Sequence, residues 1–205
     1  MDHAFFVKNS HFTNAYSDGH GGAIYAESQS IDIHYCTFTN CSTSKDGLEY
    51  NGGAIYLDSK QAFAHEFLYY DIFYNCSSSY QGGAIFIYCQ DANKTIPSTP
   101  ETPSDDYAYQ IDRCNFTTCI STYEGGAVCI GITNSDGSTS GTNDVGFSFC
   151  FFTECESGCG GAIKAQDGTM SGDEQTAIFQ STFINCFATE GEGYAISCRS
   201  YKVSM

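Results

Sequence analysis

One tetrapeptide, Gly-Gly-Ala-Ile, recurs along the chain and restricts its fold more than any other feature. It stands at Gly21-Gly22-Ala23-Ile24, Gly52-Gly53-Ala54-Ile55, Gly82-Gly83-Ala84-Ile85 and Gly160-Gly161-Ala162-Ile163. A conservative copy reads Gly125-Gly126-Ala127-Val128. A degraded copy reads Glu192-Gly193-Tyr194-Ala195-Ile196, with Gly193 in the place of the second glycine and Tyr194 as an inserted residue. A period of roughly 30 residues marks a solenoid, whose units bury their apolar faces only against one another.

A second motif, Phe-x-Asn-Cys or a near relative, precedes each glycine pair. Its phenylalanines are Phe12, Phe38, Phe73, Phe116, Phe152 and Phe183. In four copies the Phe lies nine residues before the first position of the pair, while Phe152 lies eight before and Phe38 fourteen before. Glycine suits a tight bend and starts a helix poorly. The runs that follow, such as Ala54-Ile55-Tyr56-Leu57, are short, β-branched and aromatic, as strands are. Each unit therefore reads as two or three short strands joined by polar turns.

Aligned copies separate the faces. Ile24, Ile55, Ile85, Val128, Ile163 and Ile196 form one apolar column, and Ala26, Leu57, Ile87, Ile130, Ala165 and Cys198 form another two residues on. Period two puts both columns inside. The column between them (Tyr25, Tyr56, Phe86, Cys129, Lys164, Ser197) ends in lysine and serine and points out. Near the second motif, Cys36, Asp71, Cys114, Cys150 and Ser181 share the face of the Phe column, and the Asn column is expected to form a hydrogen-bonded ladder. The prediction is an all-β, right-handed parallel β-helix of about six rungs spaced about 4.8 Å apart, roughly 30 Å long. It would be a single domain over 1–205. Loop excursions are expected at 42–51, at 90–107, which holds all three prolines, and at the Gly/Ser/Thr-rich 131–146. Solenoid loops commonly carry specificity.

The formal net charge is −16 with only 8 Lys plus Arg, which argues against nucleic acid and against an anionic membrane surface. Twelve cysteines suggest an exported, oxidising location, although Met1-Asp2-His3-Ala4-Phe5-Phe6 is no signal peptide and no run is long enough to span a membrane. The repeat pattern reaches both ends without visible capping repeats. That suggests a fragment of a longer solenoid, or end-to-end association through uncapped rungs.

The paired Phe-x-x-Asn and Gly-Gly-Ala-Ile motifs resemble the repeats of the chlamydial polymorphic membrane proteins, and similar repeats occur in large trichomonad surface proteins. The resemblance covers about residues 5–198. It implies a right-handed β-helix displayed at the cell surface and a role in adhesion to host cells. Here Cys41 and Cys76 occupy the family's fourth position, and Asn40 and Asn75 come one earlier. Neither a leader nor an autotransporter-type β-barrel is read in the chain, so outer-membrane anchoring is not carried over.

Cys41, Cys76, Cys119, Cys155 and Cys186 form one column. Three readings stand: disulfides between rungs, a stack of buried free thiols, which in-register parallel Cβ vectors favour, and zinc, which the Cys-x4-Cys spacings disfavour. Asp32, His34, Asp71, Asp112 and Arg113 precede the Phe motif, but His34 and Asp112 sit two rungs apart, roughly 10 Å, too far to pair. No catalytic constellation, metal site or cofactor site is read. Among the glycosylation sequons, Asn40 and Asn75 are expected to be buried, which leaves Asn93 as the acceptor in a secreted eukaryotic protein. The outward column Thr13, Thr39, Tyr74, Thr117, Thr153 and Ile184 reads as β-propensity on a solvent face. The better binding candidates are Tyr25, Tyr56 and Phe86, with their neighbours Tyr35 and Tyr70, because exposed stacked aromatics hold sugar rings or a partner's apolar patch.

The expectation is a non-enzymatic surface or adhesion module, extracellular or at the cell surface, that binds a host or partner protein or a glycan. The alternatives are a carbohydrate-active β-helix enzyme of pectate-lyase-like type and a structural spacer.

Overall fold

The computed structural model describes residues 4–27, 30–44, 49–59, 65–89, 109–132, 145–165 and 176–198. Within them the chain is a parallel β-helix of six rungs and contains no helix. Each rung contributes one strand to each of four parallel six-stranded sheets, so the unit holds four strands rather than two or three. The third rung shows the path: His65–Tyr69 in sheet I, Ile72–Tyr74 in sheet II, Ser77–Ser78 in sheet III and Ile85–Cys89 in sheet IV. The strands of sheet III are two residues long, too short for any periodicity to reveal.

Left-handed backbone makes the corners. Between sheets I and II one residue per rung has positive φ: Asn9, Tyr35, Tyr70, Arg113, Phe149 and Gln180. Between sheets II and III the same conformation falls on Asn14, Asn40, Asn75, Thr118, Glu154 and Asn185. Asn40 Nδ2 donates to Asn14 Oδ1 at 3.1 Å, and Asn75 Nδ2 donates to Asn40 Oδ1 at 2.8 Å. The asparagine ladder exists, but Asn40 and Asn75 are exposed rather than buried, because a left-handed corner turns its side chain away from the core.

The glycine pair does two jobs. The first glycine takes positive φ, as at Gly82 (φ 65°). The second lies where sheet III meets the next rung. A Cβ on Gly83 would sit 2.0 Å from Gly126 O and 2.6 Å from Ile120 backbone. The degraded copy is corrected by this geometry. Gly193 (φ 78°) is the first glycine, and Tyr194 holds the second position rather than being inserted. Ile163 pairs in register with Ile196, with no extra residue between.

The core follows the columns. Phe12, Phe38, Phe73, Phe116, Phe152 and Phe183 stack almost parallel, with Phe38–Phe73 centroids 4.8 Å apart at 3°. The Ile, Leu and Val of sheets I and IV fill the rest. The column Cys36, Asp71, Cys114 and Cys150 is buried with them. Sheet III adds buried serines that tie down the glycine turn: Ser78 Oγ donates to Gln81 O at 3.0 Å and Ser121 Oγ to Glu124 O at 2.9 Å.

Eleven cysteines, Cys36, Cys41, Cys76, Cys114, Cys119, Cys129, Cys150, Cys155, Cys159, Cys186 and Cys198, are free thiols. Those of the Cys41 column donate to carbonyls of their own and the preceding rung, as Cys76 Sγ does to Phe38 O at 3.6 Å and Tyr74 O at 3.7 Å. Burial pushes the Cys114 and Cys119 thiols well up.

The excursion 90–107 and its Asn93 lie outside the described residues. Of 42–51, Ser42–Thr43 is a strand of sheet III and 45–48 lie outside. Of 131–146, Gly131 and Ile132 end sheet IV's Val128–Ile132 and Val145–Gly146 begin sheet I's Val145–Ser148, so only 133–144 lie outside.

Candidate functional site

The five aromatics singled out from sequence separate into two groups. Tyr25, Tyr56 and Phe86 stand on the outer surface of sheet IV, whereas Tyr35 and Tyr70 occupy the corner between sheets I and II. Sheet I lies between them, so they form no common surface.

The sheet IV group is a second small core rather than an exposed ladder. Tyr56 stacks between Tyr25 (5.1 Å) and Phe86 (5.4 Å), with the His20 ring 4.5 Å away. The Phe86 ring lies over Gly131, where a Cβ would come within 2.8 Å of it. Cys129 and Tyr88 complete the packing, so Tyr56 and Phe86 are buried and only Tyr25 is open to solvent. The Tyr25 hydroxyl donates to Glu27 at 2.5 Å, which pushes its pKa up to about 12.

The corner group is exposed. Tyr35 and Tyr70 are 46% and 41% accessible, and their rings lie 5.2 Å apart within 9° of parallel. Lys8 Nζ stands 5.8 Å from the Tyr35 ring and the Arg113 guanidinium 5.5 Å from the Tyr70 ring. Lysine, two tyrosines and arginine therefore follow one another over four successive rungs. Both tyrosines have left-handed backbone (φ 54° and 58°), which costs a bulky L-residue roughly 1–2 kcal/mol. Asn would take that corner more readily, as Asn9 does one rung earlier. Large rings placed there at a cost, and then left in solvent, point to a surface role.

Beside them runs the last outward column of sheet I, in the register Lys8, His34, Tyr69, Asp112 and Ser148. As the sequence indicates, His34 and Asp112 are two rungs apart and do not pair. Each finds another partner instead. His34 Nε2 pairs with Asp32 on its own strand. Arg113 donates to both Tyr69 Oη and Asp112 Oδ2 at 2.7 Å, and Ser148 Oγ donates to Asp112 Oδ1 at 2.7 Å. The guanidinium also lies 5.6 Å from the Tyr69 ring and 5.0 Å from that of Phe149. Three rings and a carboxylate thus hold Arg113 in place. Desolvation first, then Tyr70, keeps the Tyr69 phenol above its ordinary pKa of 10.0, so at neutrality it is a proton donor rather than a base.

Asp71, the remaining acid of that sequence cluster, is not at this surface. It is fully buried in the cysteine column, where Oδ1 accepts the Cys36 N–H at 2.7 Å and Oδ2 has no partner. Burial raises its pKa to about 7.

The surface as a whole is a strip along the helix axis: a stacked pair of rings with a cation beyond each, its ring edges and hydroxyls open to solvent and its acids Asp32 and Asp112 already paired. It can pack ring edges against C–H-rich groups and donate hydrogen bonds. Among the described residues no group of three or more His, Cys, Asp and Glu is arranged to hold a metal ion. Sequence reasoning missed Tyr69 and Phe149. Their signal is position: Phe149, like Tyr35, Tyr70 and Arg113, immediately precedes the Cys36/Asp71/Cys114/Cys150 column, and Tyr69 lies one residue earlier still. The chain matches no family model, no curated protein and no solved structure.

Proposed function

We propose that this β-helix is a non-enzymatic binding module of the cell surface, and that it holds a glycan chain along the strip built on Tyr35 and Tyr70. One observation carries the reading: two stacked, near-parallel tyrosines, solvent-exposed and set in left-handed corners that other residues would occupy with less strain. Saccharide rings offer apolar C–H faces to the exposed ring edges and hydroxyls to the tyrosine hydroxyls and flanking cations. The resemblance to surface adhesins supports the location and the adhesive role. A net charge of −16 fits an exposed, soluble module that excludes nucleic acid.

The carbohydrate-active alternative draws on one observation, the Asp32–His34 pair beside Tyr69, whose hydroxyl Arg113 contacts. A panel of immobilised and soluble polysaccharides, scored for retention and for released product, separates the two. Retention without product is expected, and it should be lost in Tyr35→Asn/Tyr70→Asn. That double variant should keep wild-type stability to within about 1 kcal/mol, because relief of left-handed strain offsets the lost ring stacking. Retention unchanged in the double variant would refute the site. Product lost on His34→Ala would establish the enzyme.

A further inference from the structure

A second chemical centre lies away from the strip, in the turn of the fifth rung that joins sheets III and IV. Cys159 immediately precedes the glycine pair there. Its backbone is fixed by Cys159 N–H donating to Tyr123 O at 2.8 Å and by its carbonyl accepting Gly125 N–H at 3.0 Å. Its thiol is half-buried and faces Lys164, whose Nζ lies 3.5 Å from Sγ. Lys164 is only 8% accessible, so this ammonium is held against the thiol within the protein. Nζ also donates to Ser197 Oγ at 3.0 Å, and Ser197 Oγ lies 3.5 Å from the same sulfur. Glu124 stands on the far side of the ammonium at 3.8 Å, and its other oxygen is occupied by Gln81 Nε2 at 2.6 Å.

Cys159 Sγ also donates to a backbone carbonyl, Glu192 O at 3.3 Å, so it is not this contact that sets it apart. The thiols of the core columns donate to backbone carbonyls too, but are buried. Cys186 is as half-buried as Cys159, but its sulfur contacts Phe152 O at 3.4 Å and Ile184 O at 3.6 Å, with no cation. A thiol reacts as its thiolate, and an adjacent ammonium favours that form. What separates Cys159 from a solitary surface thiol is therefore the buried lysine aimed at it, together with a hydroxyl that contacts both.

We infer that Cys159 and Lys164 form a reactive-thiol site that is oxidised by small hydroperoxides. The Cys159 thiolate attacks the terminal oxygen of ROOH. An S–O bond forms and the O–O bond breaks. The sulfur gives up two electrons, and the peroxide is reduced. The departing alkoxide takes a proton from the Lys164 ammonium, which solvent then restores. The products are a sulfenic acid at Cys159 and ROH.

The test exposes the whole chain to hydrogen peroxide in the presence of a sulfenic-acid trap and maps the trapped peptides by mass spectrometry. Cys159 should be trapped at least about ten-fold faster than Cys186, the internal control of like exposure. Lys164→Met should slow Cys159 about ten-fold and leave Cys186 unchanged. Equal rates at the two thiols in the wild type overturn the inference, and this comparison needs no variant to fold. A Cys159 rate unaffected by Lys164→Met, in a protein whose circular dichroism is unchanged, overturns it as well.

Discussion

Asp71 makes the stability of this protein depend on pH in an unusual direction. The carboxyl occupies a cysteine position in the core column, with one oxygen satisfied by the Cys36 amide and the other without a partner. Desolvation raises its pKa from 3.8 to about 7. The native state therefore binds the proton more tightly than the unfolded chain does, and the associated stability is complete below 3.8 and lost as pH rises to 7. A shift of that size corresponds to about 4 kcal/mol between pH 4 and pH 8, at about 1.4 kcal/mol per pH unit. Serine is the substitution that isolates the effect. In the last rung Ser181 Oγ already accepts the equivalent amide, that of Cys150, at 3.1 Å. Asp71→Ser should be within about 1 kcal/mol of wild type at pH 4 and about 4 kcal/mol more stable at pH 8. For a chain of this length that is a melting-temperature gain of roughly 8–16 °C. The assay is urea unfolding of both proteins under reducing conditions at pH 4, 6 and 8, followed by circular dichroism. The other carboxylates titrate in both proteins and cancel in the difference. A wild-type-minus-variant difference that stays constant across this range would refute the reasoning.

Two further outcomes follow from the packing. Phe73→Ala removes one ring from the middle of an unbroken stack and should cost about 3–5 kcal/mol in urea unfolding, with the flanking rings Phe38 and Phe116 unable to close the gap because strand spacing fixes their separation. Gly83→Ala should be worse than a methyl group suggests, above about 3 kcal/mol, since the atoms it meets are backbone in two neighbouring segments; limited proteolysis should find the variant open near rungs three and four.

The sequence carries most of the fold because one residue per position repeats once per rung, so Ile24, Ile55, Ile85 and Val128 fall into a column by counting alone. The way the chain turns is less accessible. Corners between sheets I and II accept Asn9, Tyr35, Tyr70, Arg113, Phe149 and Gln180, residues whose side chains share no chemistry. Only their place before the Cys36/Asp71/Cys114/Cys150 column marks them, so Tyr35 and Tyr25 looked like neighbours although a whole sheet separates them. Tyr56 and Phe86 occupy an outward column, as counting indicates. Counting cannot reveal that His20 and Gly131 let them form a core of their own. Cys159 and Lys164, five residues apart, meet only because the intervening glycine turn folds one back over the other.

The second position of the glycine pair also gives the stack a direction. At Gly22, Gly53, Gly83, Gly126 and Gly161 the absence of a side chain is what lets the following rung settle, its carbonyl coming to 2.2 Å from a would-be Cβ at Gly161 and 2.0 Å at Gly83. Tyr194 carries the forbidden atom at that same position, on a residue 77% accessible. A repeat laid in register on the sixth rung, from a second molecule or grafted by design, would drive its carbonyl into that carbon. One side chain thus opposes an in-register repeat on that face, and Tyr194→Gly would remove the obstacle.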